Sequence, residues 1–439
     1  RSNFAFDRVA FDRVAFDRVA FDRIALDRDT RAGRGGRGTQ LAPSAGGLAR
    51  SASYFPLRTP HDGGTDTRAD PEPLMTEATA IAPPAPDTRV LVTGASGFIA
   101  GHCILQALDA GWQVRGTLRS AGREPALRRV FEGAGADGTR DGIRDGIRDC
   151  ESLEFVVADL ESDDGWDAAV AGCSHVLHVA SPLPRVQPKD DQELIRPARE
   201  GALRVLRAAA RAGVTRTVMT SSTASVMYGL GGRETPFTED DWSNPDSADN
   251  SGYTRSKTIA ERAAWDFARG DDSGMEFATV NPGLVLGPVL EEDYGTSAEA
   301  VLKLLNGDLP GTPRMCFPSV DVRDVATLHL LALTHPAAAG QRFLATCESL
   351  WFEDIARILR EAFPAYRRRM PERRIPSWLM RILARFDPVM RAVIHDLDHH
   401  RVCDASRARE RLGWAPRSAE DAVRATGESL LAQGLVKPV

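Results

Sequence analysis

The sequence predicts an α/β fold: a doubly wound parallel sheet with a smaller, helix-rich C-terminal substrate-binding region. Three observations predict it. Six short β-rich runs (RVLVTG, QVRGTL, LEFVVAD, HVLHVAS, RTVMTSS and EFATVNP) recur between Arg89 and Pro282. Helical stretches separate them, among them 99–110, 197–212 and 256–269. Strands alternating with helices of this length build βαβ units and hence a parallel sheet. The runs are also nearly continuous in apolar residues, as both faces of such a sheet require.

The chain opens on a five-residue repeat, AFDRV, from Ala5 onward. On a helix each Phe would advance by about 140° from the last, so no apolar stripe forms. Residues 31–87 are rich in Gly, Pro, Ala, Arg and Asp, a composition that cannot bury a core. A transit peptide would account for the arginines, but the matched Asp residues oppose it. Residues 1–87 are therefore expected to be a disordered extension. Residues 1–74 are expected to be translated upstream sequence ahead of a natural start at Met75.

The first run leads into Val92-Thr93-Gly94-Ala95-Ser96-Gly97-Phe98-Ile99-Ala100. Its glycines are spaced GxxGxxA between a strand and a helix. Gly94 permits a sharp turn, and Gly97 lets backbone N–H groups approach a pyrophosphate. Ala100 allows close helix–strand packing, and the helix N-terminus attracts the anion. This is the phosphate loop of a Rossmann-type dinucleotide fold. The second run ends Val114-Arg115-Gly116-Thr117-Leu118-Arg119-Ser120. An NAD enzyme usually carries an acid there for the ribose 2′-OH. Arg119 instead suits a 2′-phosphate, so NADP(H) is expected, with NAD as the weaker alternative.

A second repeat, DGTRDGIRDGIRD over 137–149, reads as an expanded surface loop. Beyond Pro288 the alternation weakens. Helical stretches at 297–305 and 324–335 precede a helix-rich end. The expected division is a dinucleotide domain over 88–288 and a substrate-binding region over 289–439. The latter should lie over the carboxyl edge of the sheet, where open α/β sheets bind ligands.

Charge and cysteines exclude several classes. The 439 residues carry a formal net charge of −6, unlike the basic surface that nucleic acid needs. Cys103, Cys150, Cys173, Cys316, Cys347 and Cys403 show no CxxC or zinc spacing. Reduced thiols in a cytoplasmic protein are expected, with no metal site. No apolar run approaches the roughly 20 residues that span a bilayer. The longest, 378–394, is broken by Arg381, Arg385, Asp387, Pro388 and Arg391. It reads as an amphipathic helix pair covering a core, and no membrane contact is expected.

Tyr253-Thr254-Arg255-Ser256-Lys257 opens a helical segment and places a phenol and an ammonium on one face. Upstream, RTVMT ends in Ser221-Ser222 at the carboxyl edge. A carbonyl that accepts hydride develops an oxyanion, which needs a hydrogen-bond donor and then a proton. A phenol has a reference pKa of about 10. A neighbouring ammonium favours its phenolate, which suits Tyr253 to acid–base work beside Lys257. Either serine could supply the second hydrogen bond.

With these residues in hand, the chain resembles the extended short-chain dehydrogenase/reductases, within the NAD-dependent epimerase/dehydratase superfamily. Within that family it is most similar to dihydroflavonol-4-reductase-like NADPH-dependent aldehyde and ketone reductases. The likeness runs from Arg89 to Val436 through VTGASGFIA, VADL, HVASP, TSSTASV, YTRSK, NPGLVLGP and LGWAPRS. It implies Ser222 as the catalytic serine, with Tyr253 and Lys257. It implies Gly94, Ser96, Gly97, Phe98, Ile99, Arg119, Tyr253 and Lys257 at the cofactor. Asp159 and Leu160 would flank the adenine, Val179, Ala180 and Ser181 the centre, and Pro282 and Leu284 the nicotinamide. Two departures matter. Met227 stands where plant flavonoid reductases carry a polar substrate-reading residue, and NSGYTRSK lacks the NWYCYGK-like signature of cinnamoyl-CoA reductases. Residues 181–191, Met227, Tyr228 and Tyr294 are candidates for the pocket wall or for packing.

The expectation is an NADP(H)-dependent oxidoreductase acting on a small carbonyl or alcohol, as a monomer or homodimer. A nucleotide-sugar epimerase or dehydratase shares the fold, but Arg119 opposes its usual NAD. A hydroxysteroid dehydrogenase would differ only in substrate. A non-catalytic dinucleotide sensor would tend to lose Tyr253 and Lys257.

Overall fold

A computed structural model describes residues 88–134, 150–182, 190–233, 235–248, 250–292, 294–386 and 393–439. The expectations for the N-terminal extension and for the 137–149 loop lie outside these residues. All six β-rich runs are strands: β1 (Arg89–Val92), β2 (Gln113–Leu118), β3 (Leu153–Val157), β4 (His175–His178), β5 (Arg216–Thr220) and β6 (Glu276–Pro282). Between them run α1 (Phe98–Asp109), α2 (Glu124–Gly133), α3 (Trp166–Val170), α4 (Gln192–Arg211) and α5 (Gly252–Gly270). Their apolar continuity is spent on a two-faced core. Val90, Leu91 and Val92 are wholly buried, and every residue of β5 is buried. α4 begins at Gln192, five residues before the predicted start, and carries Pro197 inside it. Buried Leu194 and Ile195 anchor that first turn, so packing outweighs the proline's preference for a helix start.

The second half adds β7 (Leu284–Leu286), α6 (Gly295–Asn306), β8 (Cys316–Asp321), α7 (Val322–Thr334), β9 (Arg342–Ala345) and β10 (Ser349–Trp351). It closes with α8 (Phe352–Ala362), α9 (Ser377–Leu383), α10 (Ser406–Leu412) and α11 (Ala419–Ala432). The main sheet has seven strands in the order β3-β2-β1-β4-β5-β6-β9, all paired in parallel. The order reverses between β1 and β4, so the loop after β1 lies at the topological switch point.

Three features differ from the sequence reading. The sheet does not end at 288, because its last strand, β9, comes from beyond that boundary. The helix-rich C-terminal region also holds strands that the sequence reading did not name. β7, β8 and β10 form a second sheet in the order β10-β8-β7. The 378–394 stretch does not cover a core along its length. α9 buries Met380, and Ala384 just beyond it is buried too, but Trp378, Ile382 and Phe386 stay 62%, 44% and 81% exposed. Two turns of helix offer one narrow packing face, and positions 380 and 384 occupy it.

All six cysteines are free. Burial pushes the Cys316 thiol up to about 11, and Cys347 and Cys403 to about 12, which keeps them protonated and unreactive.

Candidate active site

The glycine loop is shaped by its two glycines in different ways. Gly94 has φ +71°, and a Cβ on it would lie 2.9 Å from Ala180 Cβ. Its N–H donates to Thr117 Oγ1 at 2.9 Å, which ties the turn to β2. Gly97 has an ordinary φ of −81°, but a Cβ there would lie 3.2 Å from Gly94 O. It caps α1 without a side-chain hydrogen bond, and the first turn of α1 carries no acid. The free N–H groups and the positive end of the helix dipole are therefore open to an anion. A shallow surface cleft adjoins the loop, lined in part by Ser96, Gly97, Phe98, Leu290 and Glu291. Gly94→Ala forces a left-handed Cβ into Ala180. Each such residue costs about 1–2 kcal/mol, so dinucleotide binding should weaken about tenfold or more by fluorescence titration.

Thr93 links the loop to β4. Ala180 N–H donates to Thr93 Oγ1 at 3.0 Å, and that hydroxyl lies 3.0 Å from His178 Nδ1. Burial, with Lys257 nearby, pulls the His178 ring down to about 3, so it stays neutral. Val179, Ala180 and Ser181 follow at intermediate exposure. Arg119 comes directly after β2 and is exposed. Its neighbours Arg115 and Arg123 are paired with Glu154 and Glu291, whereas Arg119 enters no ion pair among the described residues. Asp159 and Leu160 lie half-buried past β3, where the Asp159 side chain accepts from Glu161 N–H at 3.0 Å. Pro282 is buried at the end of β6, and Leu284 opens β7 half-buried.

The Tyr–Lys pair rides on α5. Ser251 caps this helix by accepting from Thr254 N–H at 3.2 Å, so Tyr253 is already in its first turn. One turn on, Lys257 Nζ lies 5.8 Å from the Tyr253 ring centre. Both are half-buried, and so is Ser222. The two candidate serines separate cleanly. Ser221 is buried and its hydroxyl is spent on Glu261, at 2.5 Å. Ser222 Oγ only accepts from Ala224 N–H at 3.1 Å, so its proton remains to give.

Sequence reasoning missed Glu261. It is wholly buried, one turn beyond Lys257 on the same helix. It accepts from Ser221, Ser225, Thr279, Asn281 (2.8 Å) and Trp265, and pairs with Arg342 of β9 at 2.7 Å. Asn281 also donates to the Ser222 carbonyl, at 3.3 Å, and Ser225 Oγ, whose one proton is shared with Glu261, lies 2.7 Å from the same carbonyl. One carboxylate thus joins the strand end that bears Ser222 to the helix that bears Tyr253 and Lys257. Its only signal in the sequence was the continued spacing of four after Tyr253 and Lys257.

Met227 and Tyr228 are buried. Tyr228 donates its hydroxyl to Asp396 Oδ1 at 2.8 Å, and the Arg401 guanidinium lies 4.4 Å over its ring. Arg401 also pairs with Asp396 at 2.7 Å. This cluster fastens the C-terminal region beside the site. Tyr294 is half-buried, and residues 183–189 of the expected pocket wall lie outside the described residues.

Comparison with known proteins bears on the family and the fold. Residues 90–344 match the NAD dependent epimerase/dehydratase family. A cinnamoyl-CoA reductase of Medicago truncatula is 35% identical over 292 residues, 65% of this chain and 83% of the relative. A dihydroflavonol 4-reductase of Hordeum vulgare is 32% identical over 285 residues, 63% of this chain and 75% of the relative. Among solved structures, the yeast methylglyoxal/isovaleraldehyde reductase Gre2 complexed with NADPH superposes with a TM-score of 0.63 at 26% identity. The match covers 80% of this chain and all of that one. Over more than half its length, the chain belongs to the NAD dependent epimerase/dehydratase family.

Proposed function

We propose that this protein is an NADPH-dependent reductase of aldehydes or ketones, a cytoplasmic oxidoreductase working as a monomer or homodimer. The joining of Ser222 to Tyr253 and Lys257 through Glu261, beside the glycine loop, carries the reading. The reductases found as relatives support it. The residues present fit NADPH. The glycine cradle would be filled by any Cβ, α1 offers uncapped N–H groups, and Arg119 enters no ion pair among the described residues. Bound there, NADPH supplies the hydride.

The chain's own residues do the rest. Gly94, Ser96, Gly97, Phe98 and Ile99 would hold the pyrophosphate, and Arg119 would take the 2′-phosphate. Asp159 and Leu160 border the adenine. Val179, Ala180, Ser181, Pro282 and Leu284 border the remainder of the cofactor. Ser222 donates a hydrogen bond to the substrate carbonyl oxygen. Tyr253 gives that oxygen its proton as the carbon accepts hydride, so the carbonyl becomes an alcohol. Lys257, one turn from Tyr253 on the same helix, would hold the nicotinamide ribose. The missing NWYCYGK-like signature and Met227 favour a small aldehyde or ketone over an acyl-CoA or flavonoid.

The test is oxidation of NADPH, followed by absorbance, across a panel of small aldehydes and ketones. Arg119→Glu should raise the KM for NADPH by about ten- to a hundredfold, the worth of one charge-assisted contact, and leave that for NADH nearly unchanged. An unchanged NADPH/NADH ratio would remove Arg119 from cofactor choice. Absence of turnover across the panel would refute the reductase reading.

A further inference from the structure

Trp378, Ile382 and Phe386 make up half of the six large apolar side chains that the described residues leave exposed. A spacing of four puts them on one side of α9 and the turn that follows it. Buried Met380 and Ala384 lie on the opposite side. The helix is anchored rather than loose. Ser377 Oγ donates to Asp398 Oδ1 at 2.7 Å, and Arg381 bonds the same carboxylate at 2.9 Å.

The charge of the segment that ends in this ridge runs against that of the whole chain. Residues 367–386 hold Arg367, Arg368, Arg369, Arg373, Arg374, Arg381 and Arg385 against Glu372 alone. Seven positive charges less one negative leave +6 on a chain whose net charge is −6. Arg374 and Arg381 are paired with Glu353 and Asp398. Arg367, Arg368, Arg373 and Arg385 are exposed and enter no ion pair among the described residues. On a helix Arg381 and Arg385 flank the apolar ridge, at three and seven residues from Trp378.

We propose that this face docks on a bilayer surface rich in anionic lipid. An aromatic and aliphatic ridge flanked by arginines matches the boundary between acyl chains and phosphate headgroups. A second copy of this chain fits poorly, because a two-fold contact would set the unpaired arginines of this segment against the same arginines of its partner. The docked helix peripherally anchors the protein, since no helix among the described residues is long and apolar enough to cross a membrane. Asp398 holds α9, and Asp396, two residues before it, holds Tyr228. This surface is independent of the reductase reading.

The test is flotation of the full chain with vesicles of phosphatidylcholine alone or mixed with phosphatidylglycerol. The protein should float with the mixed vesicles and stay behind with the neutral ones, and high salt should release it. Trp378→Ser with Phe386→Ser should weaken partition about tenfold or more, and Arg367→Gln with Arg368→Gln on the order of tenfold. Both variants should keep wild-type turnover of a soluble aldehyde and wild-type melting, which shows the fold intact. No flotation, or equal flotation with both vesicle types, would overturn the proposal. So would a dimer in light scattering that Trp378→Ser dissociates, which would assign the ridge to a second copy.

Discussion

Tyr253→Phe should lower turnover by about a hundred- to ten-thousandfold while NADPH binds as before. The substitution removes one oxygen and little else. The ring packs beside the buried core and is placed by the first turn of α5, capped by Ser251, so a phenylalanine should keep that position. What disappears is the proton for the substrate oxygen. Ser222 can still donate a hydrogen bond, which leaves residual rate. Ser222→Ala should cost less, about ten- to a hundredfold, because it removes a hydrogen bond but not the acid. Steady-state kcat for both variants, with NADPH affinity from fluorescence, separates the two roles. A kcat for Tyr253→Phe near that of wild type would falsify the assignment.

Glu261→Leu should destabilise the protein by about 3–5 kcal/mol, the usual cost of breaking a buried ion pair from one side. Arg342 is 7% exposed and would be left charged, with Ser221, Ser225 and Asn281 missing an acceptor. Urea midpoints measure the loss, and Glu261→Leu combined with Arg342→Leu should recover much of it, because no orphan charge remains. Burial alone would push the Glu261 carboxyl upward. The Arg342 charge and the hydrogen bonds from Arg342, Ser221 and Ser225 outweigh it and hold the group below the usual carboxylate range. A depressed folded value adds stability above the unfolded pKa of about 4.3, and that stability is lost as pH falls through the folded value. The wild type should therefore show an acid-side fall in its urea midpoint that Glu261→Gln lacks in part. A flat difference between the two across that range would remove Glu261 as its source.

The first six strands were legible because strands buried on both faces must be apolar throughout. β7, β8 and β10 were not. They have three to six residues each, and β8 includes Pro318 and Asp321, which dilute the apolar signal. β9 is a four-residue run, RFLA, placed after two helices, where nothing in its pattern marks it for the first sheet. The strand–turn–helix around Gly94 and the shared helix of Tyr253 and Lys257 were legible because each rests on local spacing. The difference between Ser221 and Ser222 could not, because it is made by a carboxylate forty residues away. Glu261 itself stayed hidden because an acid on a helix ordinarily marks a solvated face. The exposure of Trp378, Ile382 and Phe386 was equally unreadable, since an apolar spacing of four indicates a shared face and not what covers it.

The late arrival of β9 bears on how the protein is made. A ribosome that has delivered the nascent chain as far as Pro288 has released the glycine loop, Ser222, Tyr253 and Lys257. It has not yet released Arg342. Until then Glu261 has no counterion, and β6 is an open edge to which any other extended segment could add. The half of the chain that holds the chemistry is consequently not a self-sufficient folding unit. Its maturation waits on some sixty further residues, and a fragment cut at 288 should require a chaperone or aggregate.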